Sequence, residues 1–366
     1  MTQDPISESS WEHFIRSRYP GVVVDDAAPR RLEASFALHR PALLNLASLG
    51  VLRARGEDCR TFLRGQFTSE LNRVTPEQGA FAGYCTPKGR LVALLSVVLH
   101  HDQWWLVAPR SLLESLRQRL ERYILRADVR LSFEPDTDVV LGYCAADDFP
   151  AETSSPSQDD AASPDPLGDR FGPLPARAWA TGEVAGMALQ RLFGPRPRYL
   201  LVGPKAMAQT LWQQCAGHLQ TGHDAAWSYF NVQAGLPTIC PETVERFVPQ
   251  MVNLEQVGGL DFDKGCYPGQ EVVARTQYLG RLKRRMVRLR SAQAVPLRPG
   301  DRLTTRRGDE NTAGTVVEAV MTPQGTELLA VVDLAAWQVP LCPADTDILL
   351  NRQPLPYPLP DIPSGE

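Results

Sequence analysis

The sequence of 366 residues predicts an α+β protein with a C-terminal β-barrel, on three observations. Strand-like apolar runs recur in the first half, at Phe81-Ala82-Gly83-Tyr84-Cys85, Leu91 to His100 and Trp104-Trp105-Leu106-Val107. They are interleaved with helical patterns, including an amphipathic stretch carrying Leu112, Leu113, Leu116, Leu120, Tyr123 and Ile124. From about Met286 to Leu350, short strands alternate with turns such as Arg298-Pro299-Gly300-Asp301 and Pro323-Gln324-Gly325, the pattern of a small all-β domain.

Residues 1–41 have weak periodicity and read as a loosely ordered leader in which Trp11, Phe14 and Ile15 dock as a short helix. Residues 42–284 form the α+β region. Asp58 is the predicted cap of a helix presenting Phe62, Leu63, Phe67 and Leu71. Strands around the turn Thr86-Pro87-Lys88-Gly89 follow, then strands near Val129-Arg130-Leu131 and Val139-Val140-Leu141-Gly142. Between Asp147 and about Pro175 the chain is rich in Asp, Ser, Pro and Ala and has little to bury, which predicts a mobile surface insert. A strand at Arg198 to Val202 and a helix at Met207 to Leu219 resume the pattern, and residues 285–366 make the barrel and tail.

Hydrophobic content of 43% and charged content of 22% are those of a soluble globular protein, and the length suggests two or three domains. No apolar run is long enough to cross a bilayer, and Met1-Thr2-Gln3-Asp4-Pro5 lacks a secretory pattern, so a cytoplasmic location is the default. The seven cysteines are scattered singly, without the close pairs of zinc ribbons or iron–sulfur ligands, so no metal site or intrinsic cluster is expected.

The densest chemical signal is Lys264-Gly265-Cys266-Tyr267-Pro268-Gly269-Gln270-Glu271, a thiol in a glycine-flanked turn entering a helical pattern. Lys264, Arg275 and the positive end of that helix would favour thiolate. The residues alone equally fit a small, buried, inert cysteine. Arg281 to Arg290 packs six basic residues into ten although the net charge is −4. A solvated basic face is the plain reading; a weak RNA contact through Arg281, Lys283, Arg284 and Arg285, or an acidic protein partner, is the sharper one. His100-His101, before Asp102, and His218 and His223 read as solvated positions near turns and helix ends.

Several segments together resemble the YgfZ family of folate-binding proteins. They are Phe62-Leu63-Arg64-Gly65-Gln66, Cys85-Thr86-Pro87-Lys88-Gly89-Arg90, Asn231-Val232-Gln233-Ala234-Gly235-Leu236-Pro237, Phe247-Val248-Pro249-Gln250, Asn253-Leu254, Gly258-Gly259-Leu260 and Lys264 to Arg275. The resemblance covers roughly residues 42 to 355. It implies the fold of the related glycine-cleavage T-protein aminomethyltransferase, with two intertwined α+β subdomains and a barrel around a central folate hole. It further implies tetrahydrofolate or a one-carbon derivative as cofactor, and a role in assembly or repair of iron–sulfur clusters in particular enzymes, through which tRNA modification is affected. Expected partners are those enzymes or cluster assembly proteins, with no membrane.

Carried over by position, the resemblance makes Trp227 the aromatic receptor for a pterin and Gln233 its polar partner, where many relatives have glutamate. Leu49 stands where the family can place a second tryptophan, and Tyr267, Gln270 and Glu271 join the implied folate-binding positions. Cys266 is the implied functional thiol, with Lys264 and Arg275 tuning it or meeting an anionic group such as the folate glutamate tail. The strand after Gly89, Arg90-Leu91-Val92-Ala93-Leu94-Leu95, lacks the catalytic aspartate of the aminomethyltransferase. The first expectation is therefore an accessory folate-binding protein. The alternatives are a one-carbon transferase acting on tRNA or a small amine, and a scaffold that has lost its ligand.

Overall fold

The computed structural model describes residues 11–19, 29–146, 165–278, 282–306 and 312–359. In chain order, helix α1 (Trp11–Arg18) precedes strands β1 (Ala42–Asn45) and β2 (Leu49–Arg55), helix α2 (Cys59–Arg64), and strands β3 (Ala80–Cys85), β4 (Leu91–His100) and β5 (Gln103–Pro109). Helix α3 (Arg110–Glu121), β6 (Arg130–Phe133), β7 (Asp138–Cys144), α4 (Pro166–Phe171), β8 (Thr181–Val184), β9 (Met187–Arg191) and β10 (Arg198–Pro204) follow. Then come α5 (Lys205–Cys215), β11 (Gln220–His223), α6 (Asp224–Ala234) and α7 (Gln270–Tyr278). The last segment holds β12 (Arg284–Ser291), β13 (Arg302–Thr304), β14 (Gly314–Thr322), β15 (Gly325–Asp333), β16 (Cys342–Pro343) and β17 (Asn351–Gln353).

These strands make three sheets. The first is antiparallel, in the order β3-β4-β5-β2-β6. The second runs β11-β1-β7-β10-β9-β8, with only β1 and β11 parallel. The chain thus starts the second sheet with β1, builds the whole first sheet, and returns to complete the second. The third sheet, β16-β13-β14-β15-β12-β17, is antiparallel and curls into a half-barrel. The α+β class with a C-terminal barrel-like sheet is therefore the observed architecture.

Helix α6 packs between the second and third sheets, against β1 and β11 of one and β14 and β15 of the other. Asp224, Ala225, Ala226, Trp227, Ser228, Phe230, Asn231, Val232 and Ala234 are all buried, so the helix is enclosed on nearly every side. A helix with apolar and small residues all round belongs inside a protein rather than on its surface. It ends at Gly235, whose φ of 61° lets its N–H fold back onto Asn231 O and Val232 O.

Several expectations are corrected by the packing. The leader, expected to be loose apart from a docked short helix, docks through that helix and packs beyond it as well. Phe14 and Ile15 of α1 are buried in the second-sheet core, beside Trp212 of α5. Leu32 is buried as well, and its N–H bonds Met321 O of β14. Apolar side chains too few to form a core of their own are stabilised by joining another. The insert is likewise ordered at its end. Asp165 caps α4 by accepting from Gly168 N, and Leu167 is buried; residues 147–164 lie outside the described part. Asp58 makes no capping bond and instead accepts from Asp128 N, while α3 stops at Glu121 and leaves Tyr123 exposed. Helix α5 starts at Lys205 and ends at Cys215, so Leu219 lies beyond it.

Candidate functional site

The thiol turn is held by α2 and the β3–β4 turn. Lys264 is buried, and its Nζ donates to Arg64 O and Phe67 O at 2.7 Å each and lies 4.6 Å from the centre of the Tyr267 ring. Burial first of all lowers its pKa to about 8; Glu70, Asp261 and Cys266 act in the opposite direction. Lys264 therefore anchors the segment from inside. Tyr267 is buried too, and desolvation pushes its phenol up. Gln270 Nε2 donates to Lys264 O at 3.4 Å and Gln270 N to Tyr267 O at 3.2 Å, so the turn is cross-tied into the start of α7.

Gly269 has φ +83° and packs against Gly89, itself at φ +69°, so two left-handed glycines meet where the turns cross. A cleft of about 310 Å³ opens behind the β3–β4 turn, between Cys85, Thr86, Pro87 and the exposed edge of α3 at Arg119 and Arg122. All seven cysteines lie among the described residues, and Cys266 is the exposed one; Cys240 is half-buried and the other five are buried. Cys59, Cys85 and Cys144 are pushed well up by desolvation, which keeps them as unreactive thiols. Glu271 and Arg275 are exposed on α7, and among the described residues Arg275 forms no hydrogen bond or ion pair.

The second group of predicted residues sits on α6. Trp227 is 5% exposed; the Arg198 guanidinium lies 5.1 Å over its ring, and Gly142 of β7 approaches its six-membered edge closely enough to exclude any side chain there. Gln233 is half-buried, and its Nε2 is fully enclosed without a hydrogen-bond partner. Leu49 begins β2, opposite Pro109. No hydrogen bond, ion pair or ring contact joins these residues to Cys266 among the described residues, so the sequence candidates fall into two groups.

Sequence reasoning missed the polar cluster beneath α6. Arg198, 1% exposed, donates to Asn231 Oδ1 at 2.9 Å and has its pKa brought down to about 10 by desolvation. Glu318 of β14 is fully buried and receives Arg30 at 3.0 Å and Thr238 Oγ1 at 3.0 Å, and Arg30 also contacts Ser228. Burial raises the Glu318 pKa, while Arg30, Ser228, Thr238 and Asn231 oppose the shift. A lone carboxylate inside Val316-Val317-Glu318-Ala319-Val320 was the available signal, because a charge in an apolar strand needs a partner.

The basic run is also corrected. Arg285 is buried and engaged with Glu255, Gln250 O and Asn253 Oδ1, so it offers no charge to a partner. Arg288 and Arg290 both pair with Glu327. Lys283 and Arg284 are exposed, and Arg281 lies outside the described residues.

Two curated proteins named tRNA-modifying protein YgfZ match nearly the whole chain. The one from Sodalis glossinidius (strain morsitans) is 29% identical over 324 residues, covering 87% of this chain and 94% of that protein. The one from Colwellia psychrerythraea (strain 34H / ATCC BAA-681) is 25% identical over 333 residues, covering 90% and 97%. This chain is similar to both along most of their length. No family model matches it. The crystal structure of glycine cleavage system aminomethyltransferase T from Bartonella henselae superimposes with a TM-score of 0.68 over 94% of this chain and 96% of that one. At 13% identity that likeness shows the fold, which this chain and the aminomethyltransferase share.

Proposed function

We propose that this protein is a tetrahydrofolate-binding accessory protein for assembly or repair of iron–sulfur clusters in particular cytoplasmic enzymes, affecting tRNA modification through them. The observation that carries the reading is the Cys266 thiol, exposed on a turn that is anchored from within by Lys264 and Gly269. A rigidly presented thiol suits contact with a partner enzyme, a cluster intermediate or an oxidised species. The relatives' name, tRNA-modifying protein, supports the tRNA end of the proposal.

The residues present fit a folate in one respect and not in another. The enclosed, unpartnered Gln233 Nε2 is a donor that a pterin carbonyl or ring nitrogen would satisfy. Trp227 is buried beneath Arg198, so its role is the wall of the site rather than an open stacking face. When bound, tetrahydrofolate carries one-carbon units; the protein's part is to orient it through Gln233 and to present Cys266. The residues of β4 from Leu91 to Leu95 are all buried and apolar, which favours an accessory role over an aminomethyl transferase needing an acid–base group there.

Calorimetric titration with tetrahydrofolate should show saturable binding that weakens at least tenfold in Gln233→Leu, about 1.4 kcal/mol. Equal affinity of the two proteins, or no binding by either, would remove the folate half of the proposal. Cells carrying Cys266→Ser should lose activity of cluster-dependent enzymes under oxidative stress. Normal activity there would end the role of the thiol.

A further inference from the structure

We propose that His100, His101 and Glu183 form a binding site for one divalent transition-metal ion of the zinc class. The site lies where the β4–β5 hairpin of the first sheet meets β8, the edge strand of the second. Neighbouring residues of a strand point to opposite faces, which would separate the two imidazoles. The turn prevents this. His101 and Asp102 both take left-handed backbone, with φ of 46° and 59°, forming the two-residue connection that asparagine and glycine usually fill. The two rings are thereby brought onto one side, their centroids 4.0 Å apart and tilted by 34°.

Glu183 reaches across from β8 to both rings. Its Oε2 is 3.8 Å from His100 Nε2 and 3.5 Å from His101 Nε2, and one donor atom from each of the three residues lies within 4.8 Å of the others. Metal bonds of about 2.0–2.2 Å to nitrogen and carboxylate oxygen put tetrahedral ligand atoms roughly 3.4 Å apart. The cluster therefore needs only small side-chain adjustments to close on an ion. His101 and Glu183 are exposed enough to make them, with 74% and 50% of their side chains in water.

The third ligand is fixed. His100 is buried and packs edge-on against Trp105, with ring centroids 5.2 Å apart at 70°. Two imidazoles and one carboxylate select zinc, cobalt or nickel over magnesium or calcium, and the single negative charge offsets part of the ion's own. Three protein ligands leave a coordination position for water or an exchangeable group. Bound metal would also pin the hairpin to β8, a junction already bridged nearby by Gln190 Nε2 to Ala80 O and Val97 O, each at 3.3 Å.

The test is a calorimetric titration of the full chain with zinc chloride, after alkylation of the exposed Cys266 so that the thiol cannot compete. One ion per chain is expected, with affinity at least tenfold weaker in both His101→Ala and Glu183→Gln, and no heat from magnesium. Cobalt(II) provides a second readout: ligand-field bands without thiolate charge transfer, lost in the same two variants. Absence of zinc binding by the unsubstituted chain overturns the site. Unchanged affinity in Glu183→Gln overturns it equally, since binding would then rest on surface imidazole alone.

Discussion

Lys264 titrates near 10.5 when exposed, but in the folded chain burial between α2 and the Tyr267 ring brings it to about 8. Between those values the unfolded chain binds the extra proton, so stability should rise as pH increases from about 8 towards 10.5. The neutral amine still has two N–H groups for Arg64 O and Phe67 O, which is why losing the proton removes a cost and breaks no bond. In Lys264→Met that pH slope should vanish, and stranding the two carbonyls should destabilise the protein by about 1–3 kcal/mol. Urea titrations of both proteins at pH 7 to 10 measure the difference; parallel slopes would show that Lys264 is not the titrating group. The sequence revealed a cation next to a thiol, and with it a candidate modulator. It could not reveal that the cation points inward, because the two carbonyls that hold it come from residues about 200 positions earlier.

At the element scale, the thiol turn depends on the contact between Gly269 and Gly89. A methyl group on Gly269 would sit 2.7 Å from Gly89 Cα and clash with Thr86 O, and φ of +83° disfavours any side chain there. Gly269→Ala should therefore lower stability by more than about 1 kcal/mol. It should also change the alkylation rate of Cys266, as the turn is pushed off the β3–β4 hairpin. An unaltered rate would mean that this contact does not position the thiol. Most elements were readable locally: the β3–β4 pair, α3 and the half-barrel strands follow apolar pattern and turn chemistry. Patterning failed where a segment without periodicity borrows a core, as Leu32 does beside β14. It failed also at β12, where Arg285 looks solvated by composition yet is buried by its pairing with Glu255.

Across the whole molecule, Glu318 ties the half-barrel to α6 and to the segment carrying Arg30. Removing it leaves Thr238, Ser228 and Arg30 without their shared acceptor, so Glu318→Ala should cost about 3–5 kcal/mol. Glu318→Gln keeps an acceptor and should cost less, with both read from urea midpoints; equal losses would show that charge rather than hydrogen bonding matters. Period, turn residues and the Cys266 motif were enough to establish an α+β chain with a β-rich end, and the collinear segments pointed to the YgfZ relatives, since these features depend on neighbours within a few positions. The tertiary structure alone decided which charges are inside, how β1 and β7 to β11 close one sheet around an intervening one, and that the predicted site splits into the exposed thiol turn and the enclosed α6 group. It alone brought Glu183 to His100 and His101. Each of these rests on contacts between residues tens to hundreds of positions apart, whose energy comes from burial and pairing that no local pattern encodes.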